Sequence, residues 1–186
     1  MLELGKPAPE FEFENHKGKR YKFPGDFSGK WLGLFFLRHL GCPLCKEKIS
    51  ELKENQARYQ AEGVELFVVV ESTPRRVQEY GKKEGIGFHL ISDREKRIYQ
   101  LYQVSRGSFG DFFSPSVLSA SLRATFKGHF HGRFEGDEFQ RPACFIVAPS
   151  GKLVYSKYGK NIAKIITEEE FFEVLKMLKE KEGKNE

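Results

Sequence analysis

Two cysteines three residues apart, Cys42 and Cys45 in RHLGCPLCKEK, are the side chains whose type and spacing can do chemistry. The run before them, Trp31 to Leu37, is apolar and of strand length, and Pro43 suits the first position of a helix that Gly63 can end. A thiol at such a junction meets the unsatisfied N–H groups and the positive end of the helix dipole, which favour thiolate over thiol. Two sulfurs on one first turn can also close a disulfide, so that one attacks and the other resolves the product. A buried, inert pair is the plain alternative. Zinc is another, with His129 and His131 completing four ligands.

Side chains flanking the pair can tune it. Arg38 can favour a thiolate electrostatically, and His39 or Glu71, at strand ends, can exchange protons. Glu71 reads equally well as a salt-bridge residue. The third cysteine, Cys144, lies between Ala143 and Phe145 in an apolar strand and reads as core.

The elements that must position these groups alternate. EFEFEN and KRYKF suggest an early hairpin, and VELFVVVES and FHLIS further buried strands. Thr73 can cap a helix beginning at Pro74, and Asp93 can cap REKRIYQLY. RPACFIVAPSGKLVYSKYG reads as an antiparallel hairpin, and Thr167 to Glu170 as a capping box opening a last helix with Phe171, Phe172, Leu175 and Leu178 on one face. This order predicts an α/β fold with helices on both faces of a sheet. Residues 104 to 140 break the rhythm and read as an insertion, with Phe109, Phe112, Phe113, Phe126 and Phe130 expected to pack it onto a single domain spanning 1–186 rather than to form a lid or an apolar substrate surface. The tail after about residue 180 is expected to fray.

Composition bounds the function. The chain has 186 residues, a net charge of +5 from 31 basic and 26 acidic residues, and no basic block, which argues against a nucleic-acid partner. No apolar stretch is long enough to span a bilayer, and the opening MLELGKPAPEFEFEN has no apolar leader, so a cytoplasmic protein is expected. Three cysteines are too few for a disulfide scaffold, and in a reducing compartment a close pair points to catalysis.

GKPAPEF, FFLRHLGCPLC, VVVESTPRRVQEYGKKEGIGFHLISD and RPACFIVAPSGKLVYSKYG, in that order, resemble the thioredoxin-like superfamily. Within it they resemble the peroxiredoxin-like branch related to alkyl hydroperoxide reductase, thiol-specific antioxidant proteins and selenoprotein U. The resemblance covers most of residues 1 to 178 and implies a thioredoxin-like fold with a central mixed β-sheet flanked by helices on both faces. It also implies antioxidant peroxide reduction through Cys42 and Cys45, with thioredoxin-like disulfide exchange as the alternative and a zinc-binding or redox-sensing module as the rival class. An external dithiol such as a thioredoxin-like protein is the implied reductant, the substrate is a peroxide or disulfide, and no cofactor is required.

Two registers of the resemblance reverse the cysteine roles. The peroxiredoxin pattern P-x-x-x-T-x-x-C would place Arg38 at the proline, Cys42 at the threonine and Cys45 at the attacking cysteine. The thioredoxin register makes Cys42 the attacker and Cys45 the resolver. It also places a cis Arg141–Pro142 bond beside the pair, where peroxiredoxins hold an active-site Arg, and puts Phe36 at the position of the buried Asp of thioredoxin.

Overall fold

Alternation of side chains across two buried strands builds the core. Along β3 (Trp31–Phe36) and β4 (Val64–Val70), Phe35, Leu66, Val68 and Val70 turn to one face, and Leu32, Leu34, Phe36, Phe67 and Val69 to the other. Strands buried on both faces read as continuous apolar runs. The computed structural model describes residues 1–107, 119, 123, 126, 136–161, 163 and 165–183.

The hairpin of β1 (Phe11–Glu14) and β2 (Arg20–Phe23) is antiparallel and separate from the main sheet. The five-stranded sheet adds β5 (His89–Ser92), β6 (Ala143–Val147) and β7 (Leu153–Tyr158) in the order β5-β4-β3-β6-β7. β3, β4 and β5 are parallel, whereas β6 runs antiparallel to both β3 and β7, so the sheet is mixed.

Helices α1 (Pro43–Glu54), α2 (Gln56–Ala61), α3 (Pro74–Lys83) and α5 (Glu168–Glu182) contribute Ile49, Leu52, Tyr59, Val77, Phe171 and Leu175 to one core layer. The other layer packs α4 (Arg97–Leu101), through Ile98 and Tyr99, and the hairpin, through Phe13 and Phe23, on the opposite face. The expected helix from Pro43 to Gly63 is therefore two helices, broken at Asn55, whose side-chain amide donates to the Glu51 carbonyl at 2.9 Å. Asp93 caps as expected, but three residues ahead of the helix. Its carboxylate accepts from the amides of Arg97 (2.9 Å), Ile98 (2.7 Å) and Tyr99 (3.0 Å). Among the described residues no helix is long and apolar enough to cross a membrane.

The two ends of the 104–140 segment meet: Arg106 bridges Gln140, and the Gly107 amide donates to the Phe139 carbonyl at 2.7 Å. Phe126 is 89% exposed, so it does not pack the segment down as expected. Phe109, Phe112, Phe113 and Phe130 lie outside the described residues.

A neutral histidine ties the hairpin to the sheet. His16 is buried, its Nε2 donates to the Ile86 carbonyl (3.1 Å), and its Nδ1 accepts from the Leu90 amide (3.4 Å). Its ring lies so close to α3 that a Cβ on Gly81 would sit 2.4 Å from Cδ2, so that position requires glycine. Burial lowers the His16 pKa below its ordinary 6.5. The unfolded chain then binds the proton first, and stability falls as pH drops below about 6.5. In urea melts at pH 7.5 and 5.5, the advantage of the wild type over His16→Gln is expected to shrink at the lower pH. An unchanged gap would show that His16 titrates alike in both states.

Candidate active site

The site is built at the end of β3, where the backbone leaves the sheet and turns into α1. The Leu37 amide still donates to the Val69 carbonyl (3.0 Å), and the Arg38 carbonyl accepts from the Glu71 amide (2.7 Å), which fastens the loop to the end of β4. Ser72 Oγ accepts from the Leu40 amide (2.9 Å), and the Tyr99 hydroxyl, rising from α4, donates to the Leu37 carbonyl. These bonds satisfy buried backbone groups that a loop at a sheet edge would otherwise leave open.

Cys42 is the N-cap of α1. Its backbone is extended (φ −77°, ψ 125°), and its Sγ accepts from the Cys45 amide at 3.4 Å, as an N-cap oxygen would. Pro43 occupies the first helical position, where no amide proton is needed. Cys45 lies on the same turn, and its Sγ accepts from the Arg38 amide at 3.3 Å. Both sulfurs are buried free thiols.

Arg38 is 4% exposed and lies between two anionic groups. Its Nη2 donates to Cys42 Sγ at 2.8 Å, and its Nη1 to the Glu138 carbonyl and, at 3.1 Å, to Glu138 Oε2. His39 is fully buried. Its Nδ1 accepts from the Gly41 amide (3.2 Å), so the ring proton belongs on Nε2, 2.8 Å from Glu138 Oε1.

The two thiols are driven apart in acidity. Burial pushes Cys42 up, but hydrogen bonding from Cys45 and the charge of Arg38 outweigh it and bring the thiol down to about 6. Burial and the neighbouring Cys42 sulfur push Cys45 well above the ordinary thiol range. Burial also raises the Cys144 thiol, in keeping with its place in the core.

The other residues singled out in the sequence take different places. The Glu71 carboxylate accepts from the Asp137 amide (3.0 Å) and pairs with Lys96 (3.2 Å) and Arg94 (3.9 Å). It thus holds the strand of chain that delivers Glu138, and a Cβ on Gly136 would lie 2.9 Å from its Cδ. Since Phe36 pairs with Ala143, the register carries Pro142 opposite Leu37, beside the redox loop, with half-buried Arg141 preceding it.

The expected cis Arg141–Pro142 bond is corrected: it is trans, and the cis bond among the described residues is Phe23–Pro24. Trans is the favoured isomer of an X–Pro bond unless a tight turn requires otherwise. Here Pro142 leads straight into β6, and its carbonyl accepts from the Gly159 amide (2.8 Å), prolonging the β6–β7 ladder.

His129 and His131 lie outside the described residues, and among the described residues no three His, Cys, Asp or Glu side chains gather as metal ligands. Glu138 is the site residue that sequence reading missed. It stands 100 positions from Arg38 in a polar stretch without periodicity, and only the path of the chain brings them together.

Fold and site together define a thiol-dependent oxidoreductase of thioredoxin-like architecture. Residues 4–156 match the AhpC/TSA family, and the chain belongs to that family. It is 25% identical over 167 residues to peroxiredoxin-like 2C of Homo sapiens, covering 85% of this chain and 74% of that one. It is 29% identical over 104 residues to the thiol-disulfide oxidoreductase ResA of Bacillus subtilis (strain 168), covering 54% of this chain and 56% of that one. In fold it resembles peroxiredoxin 6 of Arenicola marina, with a TM-score of 0.73, 16% identity, and coverage of 96% of this chain and 74% of that one.

Proposed function

We propose that this protein reduces peroxides through a Cys42–Cys45 couple, with Cys42 as the attacking sulfur. The observation that carries the reading is the Arg38 guanidinium 2.8 Å from Cys42 Sγ, with a second thiol on the same helical turn. The Cys42 thiolate attacks the distal peroxide oxygen. The O–O bond breaks, the alcohol leaves after taking up a proton, and Cys42 becomes a sulfenic acid. The Cys45 thiol then attacks that sulfur, forming the disulfide and releasing water. An external dithiol, of the kind a thioredoxin-like protein carries, returns both sulfurs to thiols and is itself oxidised to a disulfide.

The chemistry needs no metal or organic cofactor. The reading also takes 1–186 as one domain with an insertion at about 104–140, acting in the cytoplasm, where reducing conditions keep the couple available. A second reading, exchange with protein disulfides, is supported by the CxxC pair and by the similarity to ResA. It differs only in the first step, where a mixed disulfide replaces the sulfenic acid.

The test is to mix reduced protein with hydrogen peroxide, an organic hydroperoxide or an oxidised dithiol, and to map the modified sulfurs by mass spectrometry. A Cys42–Cys45 disulfide forming fastest with a peroxide is the expected result. Faster formation with the oxidised dithiol favours the second reading, and two unreacted thiols in every arm would overturn both.

A further inference from the structure

Arg38 serves two anionic groups at once. Nη2 points to the Cys42 sulfur, while Nη1 is held by Glu138, through its carbonyl and through Oε2 at 3.1 Å. The other carboxylate oxygen lies 2.8 Å from His39 Nε2. The Glu138 side chain is only 18% exposed, so water screens it weakly from the cation beneath. Its place is fixed from behind, by the Glu71 bond to the Asp137 amide and by Lys96 and Arg106, which pair with Asp137 at 3.0 and 2.9 Å.

We propose that Glu138 is a positioning residue for Cys42 that acts through Arg38, sharing the guanidinium so that the cation favours the thiolate less strongly than it would alone. This inference rests on the proposed dithiol chemistry. A thiolate forming beside Arg38 shares that cation with a carboxylate already in place, and two anions on one cation oppose each other. Removing only the charge leaves the guanidinium tethered, because the Glu138 backbone carbonyl still accepts from Nη1. Of the neighbouring groups, His39 and Cys45 face the same pocket from the loop and from α1, and Glu71, Lys96, Asp137 and Arg106 surround the segment from outside.

The experiment compares the wild type with Glu138→Gln, which keeps the size and one acceptor oxygen for Arg38, in a Cys45→Ser background so that Cys42 is read alone. The rate of iodoacetamide alkylation at Cys42, followed by mass spectrometry across pH, gives the midpoint of thiolate formation. The midpoint is expected to fall by roughly half a unit in the variant, about a threefold rise in the thiolate-to-thiol ratio on the acid side. With both cysteines present, equilibration against glutathione should show a less negative potential, because the reduced form is stabilised by the easier thiolate.

A midpoint that stays or moves to higher pH overturns the proposal, since Glu138 would then be inert or would serve to hold Arg38. A shift of equal size in an Arg38→Met background also overturns it, because the effect would not run through Arg38. Failure of the wild type to form a Cys42–Cys45 disulfide with any oxidant sinks the redox reading separately, and the alkylation comparison is still readable.

Discussion

Replacing Arg38 with methionine is expected to raise the midpoint for Cys42 alkylation from about 6 by roughly one to three units, toward the ordinary thiol range. Burial alone disfavours a thiolate at this position, and Arg38 brings both a full charge and a hydrogen bond to the sulfur at 2.8 Å. At pH 7 a thiol with a midpoint near 6 is about nine-tenths thiolate, whereas one near 8.5 is only a few per cent thiolate. The rate of the first oxidation step at pH 7 should therefore fall by about twofold for a shift of one unit, about tenfold for two and roughly a hundredfold for three.

The sign in pH follows from the same geometry. In the wild type, attack rises as pH increases through 6 and is flat above about 7, whereas in Arg38→Met it is still rising at pH 8. Arg38→Lys should fall between, since an ammonium is a point charge without the planar fork that meets Cys42 and Glu138 on separate nitrogens. A stopped-flow pH profile of peroxide consumption, with circular dichroism confirming the fold, decides the matter. A variant whose profile overlays the wild type would remove Arg38 from the mechanism.

Cys42→Ser and Cys45→Ser are expected to fail at different steps. Cys42→Ser removes the acidic sulfur and should leave no peroxide-dependent modification at neutral pH, because burial still holds Cys45 as a thiol once its partner sulfur is gone. Turnover should drop by roughly a thousandfold or more, as losses of a nucleophile do. Cys45→Ser should still react once, at a rate close to that of the intact protein, and then stall as a sulfenic acid that a dimedone probe traps on Cys42. The opposite pattern, with the trapped adduct on Cys45 in Cys42→Ser, would restore the register in which Cys45 attacks.

Much of this architecture was legible in the sequence because local chemistry specified it. Thr73 and Thr167 cap α3 and α5 through their own side chains, accepting from the amides of Arg76 (3.4 Å) and Glu170 (3.2 Å). The apolar runs became buried strands, and Pro43 and the two cysteines opened α1 at the edge of the sheet. Asn55 was not legible as a helix break, since nothing in its neighbours distinguishes it from a helical position.

The sequence by itself determined the reacting pair, its place at a strand end and helix start, and an arginine and a histidine close by along the chain. Those are contacts within eight residues, set by backbone geometry. Only the tertiary structure decided which sulfur is acidic, because that depends on where a buried guanidinium points and on the carboxylate that shares it. Glu138 reaches Arg38 because β6 lies beside β3 and Glu71 holds the segment leading into β6. Glu71, read as a proton carrier or a salt-bridge residue, pairs with Lys96 and Arg94 and accepts from the Asp137 amide. The trans Arg141–Pro142 bond belongs to the same layer of decision: the ladder between β6 and β7 sets the path of the backbone there.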